Sequence, residues 1–367
     1  MKKEELFCLK PKKINTEIVV DAGKRWDSIQ KPIDGLGDFE KVTSKILAIN
    51  ETLHIDNLKK VLVIMCGDHG VVEEGVSQSG QEVTLSVAKV LGENRSTASK
   101  LAAFAGVDVI PVDVGINTTE IVNGVRNCKV KCGTNNFSKE PAMTLDEALS
   151  AIDAGVMLTK ECKEKGYNII ASGEMGIGNT TSGTTILCAL TGVEVSDILG
   201  RGAGLSDEGL LRKKRVIETS LIKYGFNDKL RAKVSPEDKR EFALNVLSKV
   251  GGLELAAMTG LFIGGAVYGI PVMLDGALSA VSALVAEMIV PGCKEYMIAS
   301  HSGREKSTGY VLNMFGLRPL LNGDMALGEG TGALMTMPLI DMALDFYNNA
   351  LSFDDGNVKQ YIRHDTK

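Results

Sequence analysis

The 367-residue sequence predicts an α/β fold with a doubly wound parallel sheet, on three grounds. Short β-type runs alternate with helical patterns, the signature of parallel strands joined by crossover helices. The run 271–274, with the helical stretch before it, is nearly continuously apolar, as strands covered on both faces are. Several end in small residues beside an acidic or hydroxyl group, and open α/β sheets bind ligands outside the carboxyl ends of their strands. Glycine, at 40 residues, is in excess and follows no collagen period, so it is expected in ligand-carrying loops.

Residues 14–55 read as helical, with Trp26, Ile29, Phe39, Val42, Ile46 and Ile49 at helical spacing around the turn Lys31-Pro32-Ile33-Asp34-Gly35-Leu36-Gly37. The first strand, 61–65, ends in Cys66-Gly67-Asp68-His69-Gly70. A loop over 71–80 leads to Gln81-Glu82-Val83-Thr84, which opens a helix. The second strand, 107–114, carries Asp113 near its end. Residues 126–143 read as an irregular loop, and Thr144 with Glu147 makes a capping box for the next helix. The third strand, 167–171, runs into Gly173-Glu174-Met175-Gly176-Ile177-Gly178-Asn179-Thr180-Thr181-Ser182 and a helix over 184–190. A second glycine-rich loop, 200–207, feeds a basic helix carrying Arg212, Lys213, Lys214 and Arg215. Residues 226–240 read as a charged, solvated connection. An uncharged stretch, 255–274, is long enough to span a bilayer, but Gly260, Gly264, Gly265, Gly269 and the Ile270-Pro271 step interrupt it. A buried helix and a buried strand, 271–274, are expected there, with no membrane span. The last strand, 295–299, precedes Ser300-His301-Ser302, and Gly328-Glu329-Gly330 opens a helix to about Tyr347. The tail after Phe353 is polar and expected to fray.

A hydrophobic fraction of 44% and a charged fraction of 24% are those of a soluble globular protein. The net charge of −5 argues against a nucleic-acid footprint, which needs a basic face, while leaving room for a local cationic site. The 7 cysteines, odd in number and irregularly spaced, read as reduced thiols in a cytoplasmic protein. Cys128 and Cys132 lack the second ligand pair of a zinc site. The N-terminal stretch 1–13 is basic without the apolar core of a signal peptide.

Strand, glycine loop and helix over 167–190 present backbone N–H groups to an anion, although the loop only grazes the dinucleotide fingerprint and lacks a Gly-Lys-Ser/Thr. With the loop at 200–207, Lys213 either holds a phosphate or is a solvated helix charge. Glu329, between two glycines at a helix start, is either a general base or a helix-capping carboxylate. His69 beside Asp68 is either a metal-ligand pair or, as favoured here, a satisfied loop residue. Asp68, Glu174, Asp275 and Ser302 are expected on one rim of the sheet. No Gly-x-Ser-x-Gly elbow is present, which argues against serine hydrolase chemistry.

Taken together, Gly-Asp-His-Gly-Val-Val at 67–72, Gln-Glu-Val-Thr at 81–84, Gly-Glu-Met-Gly-Ile-Gly-Asn-Thr-Thr at 173–181 and Leu-Gly-Glu-Gly-Thr-Gly at 327–332 resemble the nicotinate-nucleotide–dimethylbenzimidazole phosphoribosyltransferase family. Lys31-Pro32 with Gly35-Leu36-Gly37, Pro-Ala-Met-Thr at 141–144 and Leu-Asp-Gly at 274–276 extend the resemblance over nearly the whole chain. It implies transfer of the phosphoribosyl group of nicotinate mononucleotide to a lower-ligand base in cobamide assembly, giving an α-ribosyl nucleotide phosphate and nicotinate. It also implies a Rossmann-like large domain, 60–303, and a small helical domain, 1–59 plus 304–367, which contributes the Glu329 loop. A homodimer is expected, or a heterodimer with a paralogue, and no metal or redox cofactor. By resemblance Glu329 is the catalytic base. Glu174, Gly176, Asn179, Thr180, Gly202, Lys213, Asp275 and Ser302 line the donor site, and Gln81, Met175, Ser79 and Leu327 the acceptor site.

The family usually carries an aromatic residue and a proline just before Gln-Glu-Val-Thr, where this chain has Val76-Ser77-Gln78-Ser79-Gly80. Losing an aromatic wall widens acceptor choice to dimethylbenzimidazole, another benzimidazole, a purine or a phenol. After Ser300-His301 the sequence departs again, with Ser302-Gly303-Arg304-Glu305. Competing readings are a non-catalytic nucleotide-binding subunit of a two-chain phosphoribosyltransferase and a metal-dependent hydrolase using Asp68, His69 and Asp275, which chelation would silence.

Overall fold

The computed structural model describes residues 1–226 and 235–363. Its main sheet has strands β1 (Lys60–Gly67), β2 (Val107–Gly115), β3 (Arg126–Asn127), β4 (Ile169–Met175), β5 (Val272–Leu274) and β6 (Met297–Ala299). All pairings are parallel and the order is β3-β2-β1-β4-β5-β6. The winding reverses between β1 and β4, a topological switch point where such sheets open a crevice. A separate two-stranded parallel sheet joins β7 (His301–Gly303) to β8 (Leu321–Met325).

β1 is buried along its whole length and feeds two cores by its pleat. Val61, Val63 and Met65 enter one cluster, with helices Leu145–Glu164, Leu253–Tyr268 and Ala277–Ile289. Leu62, Ile64 and Cys66 enter the other, with helices Thr16–Ser28, Asp38–Ile49, Thr97–Ala105 and Thr331–Asn349. The interrupted apolar stretch resolves as expected into a buried helix, ended by Gly269 in the left-handed region, and β5, but Gly260 inside the helix is a packing device rather than a break. A side chain on Gly260 would lie 1.9 Å from the Ile152 carbonyl, and one on Gly155 1.9 Å from the Ala257 carbonyl, so the two long helices touch backbone to backbone.

Both chain ends meet on the second face. Trp26 lies 5.1 Å from the Tyr347 ring and stacks at 6.3 Å on Phe346. The Arg25 guanidinium donates to the carbonyls of Tyr347 and Ala350. The Lys31-Pro32 turn is stapled by Lys31 to Glu40 at 2.8 Å, and Glu40 also accepts the Leu36 N–H.

Some expectations change. The third strand extends to Met175, so Glu174 and Met175 are its last residues rather than loop residues. Residues 293–296 are a 3₁₀ turn, and the strand begins only at Met297. The loop over 126–143 opens with the short edge strand β3. Of the expected solvated connection, 227–234 lies outside the described residues, and Ser235 caps a helix, Pro236–Val250. The tail is tied down as far as Arg363, whose guanidinium pairs with Asp27 and Asp34; His364 lies outside the described residues. Among the described residues no helix is long and apolar enough to cross a membrane.

Candidate active site

At the carboxyl ends of β4 and β5 a cavity of about 630 Å³ opens. Its walls come from the loop around Val76, the glycine loop 173–180, the loop 198–205, the turn after β5, the segment around His301 and the loop 325–329. Helix Asn179–Thr191 starts at Gly178, whose φ of +95° suits glycine alone, and its N-terminus borders the cavity, with the Asn179 and Thr181 N–H groups taken by the Gly176 and Gly178 carbonyls. Gly176 presses on β1: a side chain there would lie 2.3 Å from the Gly67 carbonyl.

Lys213 lies fully buried behind this floor. Its Nζ donates to Thr180 Oγ1 at 2.8 Å and to the Gly200 carbonyl at 3.0 Å. Burial lowers its pKa to about 8, against the opposing pull of Glu305. Gly202 packs on the same hydroxyl, since a side chain there would meet Thr180 Oγ1 at 2.8 Å. The cation therefore reaches the cavity through the Thr180 hydroxyl and the 200–202 loop, an arrangement that fits a phosphate.

Glu329 stands beside the start of the glycine loop, where a side chain on Gly173 would lie 3.1 Å from its carbonyl, with φ +56°, between Gly328 at +86° and Gly330 at +79°. Such backbone costs about 1–3 kcal/mol for a residue other than glycine, and it turns the carboxyl away from its own helix. Asp275 caps that helix instead. Its Oδ2 accepts the Gly330 N–H at 3.2 Å, and its Oδ1 accepts those of Gly332 at 2.8 Å and Ala333 at 3.2 Å. One oxygen of Glu329 is left buried without a partner. Burial raises the Glu329 pKa above the usual carboxylate range, eased by the Ala98 N–H and reinforced by Asp275. The result is a carboxyl that holds its proton to higher pH than an exposed one.

Glu174 ends β4 facing the cavity and accepts the Asn179 side-chain amide. Its pKa is pushed up to about 8, first by burial, then by the negative fields of Glu254 and Asp275. In the folded chain it is neutral between its ordinary value and about 8, whereas the unfolded chain ionises there. Stability contributed by the neutral form is thus lost as pH rises towards 8. Glu174→Gln is expected to raise Tm more at pH 8.5 than at pH 5, read by calorimetry without ligand; equal shifts at both would refute it.

Of the residues expected at the donor, Glu174, Gly176, Asn179, Thr180, Gly202 and Asp275 line the cavity, and Lys213 stands one layer behind. The Asp275 oxygens are occupied by backbone N–H groups, so it holds the Glu329 loop. Ser302 is not in the wall: on β7 its neighbours His301 and Gly303 face the cavity, and strand alternation turns Ser302 away. Among the acceptor residues Met175 and Leu327 line the cavity, while Ser79 and Gln81 do not. The Gln81 amide donates to the His69 carbonyl, and its oxygen accepts from Asn117. Val76, Ser77 and Gln78 form that wall instead. Asp68 lies on the rim, just past the end of β1, but accepts the Asn117 N–H at 2.8 Å and does not line the cavity. His69 is engaged at both ring nitrogens, by Ser182 and Glu254. The sequence reading missed His301, Glu305 and Thr308 as wall residues; the departure from the family pattern after His301 hid them.

The fold and cavity define a small-molecule-binding α/β protein with an anion-suited helix start and a buried carboxyl at the carboxyl ends of its strands. A family model described as Phosphoribosyltransferase matches residues 12–358. The nicotinate-nucleotide–dimethylbenzimidazole phosphoribosyltransferase of Clostridium perfringens (strain 13 / Type A) is 38% identical over 354 residues, 96% of this chain and 95% of that one. The protein of that name from Ruminiclostridium cellulolyticum is 38% identical over 350 residues, 95% of this chain and 96% of that one. The crystal structure of CobT from Thermus thermophilus superposes with a TM-score of 0.84 at 34% identity, covering 94% of this chain and all of that one. The chain belongs to the nicotinate-nucleotide–dimethylbenzimidazole phosphoribosyltransferase family, and it is a pentosyltransferase.

Proposed function

We propose that this enzyme moves the phosphoribosyl group of nicotinate mononucleotide onto an aromatic base of the benzimidazole type, releasing nicotinate, in cobamide lower-ligand assembly. The observation that carries this reading is the Glu329 carboxyl, with one oxygen unpartnered, in the cavity wall beside Gly173, where the glycine loop begins. The C1′–N bond to the pyridinium breaks and its electron pair stays on the ring nitrogen, so nicotinate leaves without needing an acid. The base nitrogen forms the new bond to C1′ from the opposite face, inverting it. The N–H proton of the base passes to Glu329.

The donor phosphate fits between the N-terminus of helix Asn179–Thr191 and the 200–202 loop, backed by Lys213. Lys213→Ala is expected to raise KM for the donor roughly tenfold to hundredfold, the worth of a hydrogen bond to a charged group, with kcat changed far less. Steady-state kinetics checks this; an unchanged KM removes Lys213 from phosphate binding. Ser77 and Gln78, polar wall residues, favour an acceptor broader than dimethylbenzimidazole alone. We also propose that the two chain ends act as one unit carrying the Glu329 loop, that two copies of the chain form a homodimer, and that the enzyme works in the cytoplasm. The contacts of Trp26 with Tyr347, the exposed apolar side chains Phe104 and Met342, and seven free cysteines support these readings.

The deciding experiment is chromatographic detection of nicotinate released from nicotinate mononucleotide with dimethylbenzimidazole, benzimidazole, adenine, phenol or p-cresol. Release with one or more bases is expected. No release with any, from folded protein that binds the donor, would overturn the reading.

A further inference from the structure

One carboxyl in the cavity wall has no work in the reaction above. Glu305 lines the cavity at the N-cap of helix Lys306–Phe315. An N-cap side chain ordinarily accepts a hydrogen bond from the first turn, but that of Glu305 does not. Its neighbour Arg304 pairs with Asp324 instead. Among the described residues the half-buried Glu305 carboxyl accepts no hydrogen bond and belongs to no ion pair. Burial raises its pKa, and the field of Lys213 opposes that rise.

Its place along the wall is fixed by a glycine. A side chain on Gly200 would lie 3.1 Å from Glu305 Oε1, and the Gly200 carbonyl accepts from Lys213. Glu305 thus rests on the loop assigned above to the phosphate. The other carboxyls of the wall are engaged elsewhere. Asp275 is spent on three backbone N–H groups. Glu174 takes the Asn179 amide on one oxygen, and its Oε1 keeps to the Glu329 loop, 3.1 Å from where a side chain on Gly328 would lie. Glu329 receives the acceptor's proton. Glu305 is left with neither oxygen hydrogen-bonded, beside the phosphate loop.

The chemistry of the donor says what such a group can meet. At neutral pH the phosphate and carboxylate of nicotinate mononucleotide are acceptors, and its pyridinium nitrogen bears no hydrogen. Its two ribose hydroxyls are its hydrogen-bond donors. A carboxyl keeps an accepting oxygen whether or not it is protonated, so either state of Glu305 serves. The 3′-hydroxyl sits on the carbon bonded to C4′, which carries the phosphate arm, whereas the 2′-hydroxyl adjoins the reacting C1′. Resting on the transferase reading above, we propose that Glu305 accepts a hydrogen bond from the 3′-hydroxyl of the donor and makes the enzyme specific for ribosyl over 3′-deoxyribosyl nucleotides. That hydroxyl is unchanged by the reaction, so the bond serves binding rather than the chemical step.

Calorimetric binding of nicotinate mononucleotide and its 2′-deoxy and 3′-deoxy analogues tests this without turnover. Nicotinate release, assayed alongside, tests the transferase reading separately, and a wild type that binds none of the three ligands would count against that reading. Wild type is expected to bind the 3′-deoxy analogue roughly tenfold to hundredfold more weakly than the parent, the worth of a hydrogen bond to a charged group. In Glu305→Ala that preference should shrink to within about threefold, while the preference for the parent over the 2′-deoxy analogue stays as in wild type. Taking ratios cancels any uniform effect of removing a carboxyl beside the phosphate. Glu305→Met, which keeps the length of the side chain without its oxygens, is expected to give the same ratios. A wild type indifferent to the 3′-hydroxyl, or a folded variant that keeps the wild-type preference for it, would overturn the proposal. So would loss of the 2′-deoxy preference in place of the 3′-deoxy one, or failure of both variants to fold, which would make Glu305 structural.

Discussion

Glu329→Gln is expected to leave nicotinate mononucleotide binding nearly intact and to cut turnover by roughly 10²–10⁴-fold, the span of a positioned general base. Glutamine preserves shape but cannot accept the acceptor's proton. The backbone prepares the side chain for that single task. Three consecutive positive φ angles at 328–330 turn the chain at the cavity wall, and Asp275 relieves Glu329 of capping duty. Because burial raises the pKa of Glu329, the acid limb of the wild-type rate profile should lie above the usual carboxylate range: below that pKa the base is protonated and activity is lost. The residual activity of the glutamine variant should lack that limb. Turnover equal to wild type, measured by nicotinate release at saturating substrates, would remove Glu329 from the base role.

Asp275→Ala should damage the enzyme by a different route. The substitution leaves the N–H groups of Gly330, Gly332 and Ala333 without their acceptor at the buried start of helix Thr331–Asn349. Orphaning buried donors costs about 1–3 kcal/mol, so Tm should fall, by calorimetry, in a way that Glu329→Gln does not reproduce. Turnover should fall with it, since the loop that aims Glu329 loses its anchor, and misplacing a reacting group by about 1 Å costs on the order of a hundredfold. A loss of turnover with Tm unchanged would mean that Asp275 acts on the ligand rather than on the loop.

The two carboxylates show how far a sequence carries the reading. Glu329 stood out because its cue is local: a carboxylate between two glycines has a restricted backbone and few near neighbours. Its competing role, capping the helix, could not be dismissed from sequence, because the competitor for those N–H groups lies 55 residues away. Gln81 and Ser79 failed for a related reason. Both sit in the expected segment, but the Gln81 amide is taken by His69 and Asn117, and the turn presents Ser77 and Gln78 instead. Ser302 was placed by its position after a strand, while its facing was set by the pleat of β7 against β8, a parallel pairing of short strands with exposed residues. No apolar alternation announces such a pair.

By itself the sequence determined the alternation of buried strands and helices, the glycine loop before helix Asn179–Thr191, and the glycine-flanked Glu329, because each is written in a few adjacent residues whose burial period or φ demand has one local solution. The tertiary structure alone decided which polar atoms are spent and which are free. It gave Asp275 to a helix start, Lys213 to Thr180 and Gly200, and His69 to Glu254 and Ser182. Those assignments rest on groups far apart in the chain competing for the same buried donors and acceptors, and that competition is settled only once the sheet and its two layers of helices have packed.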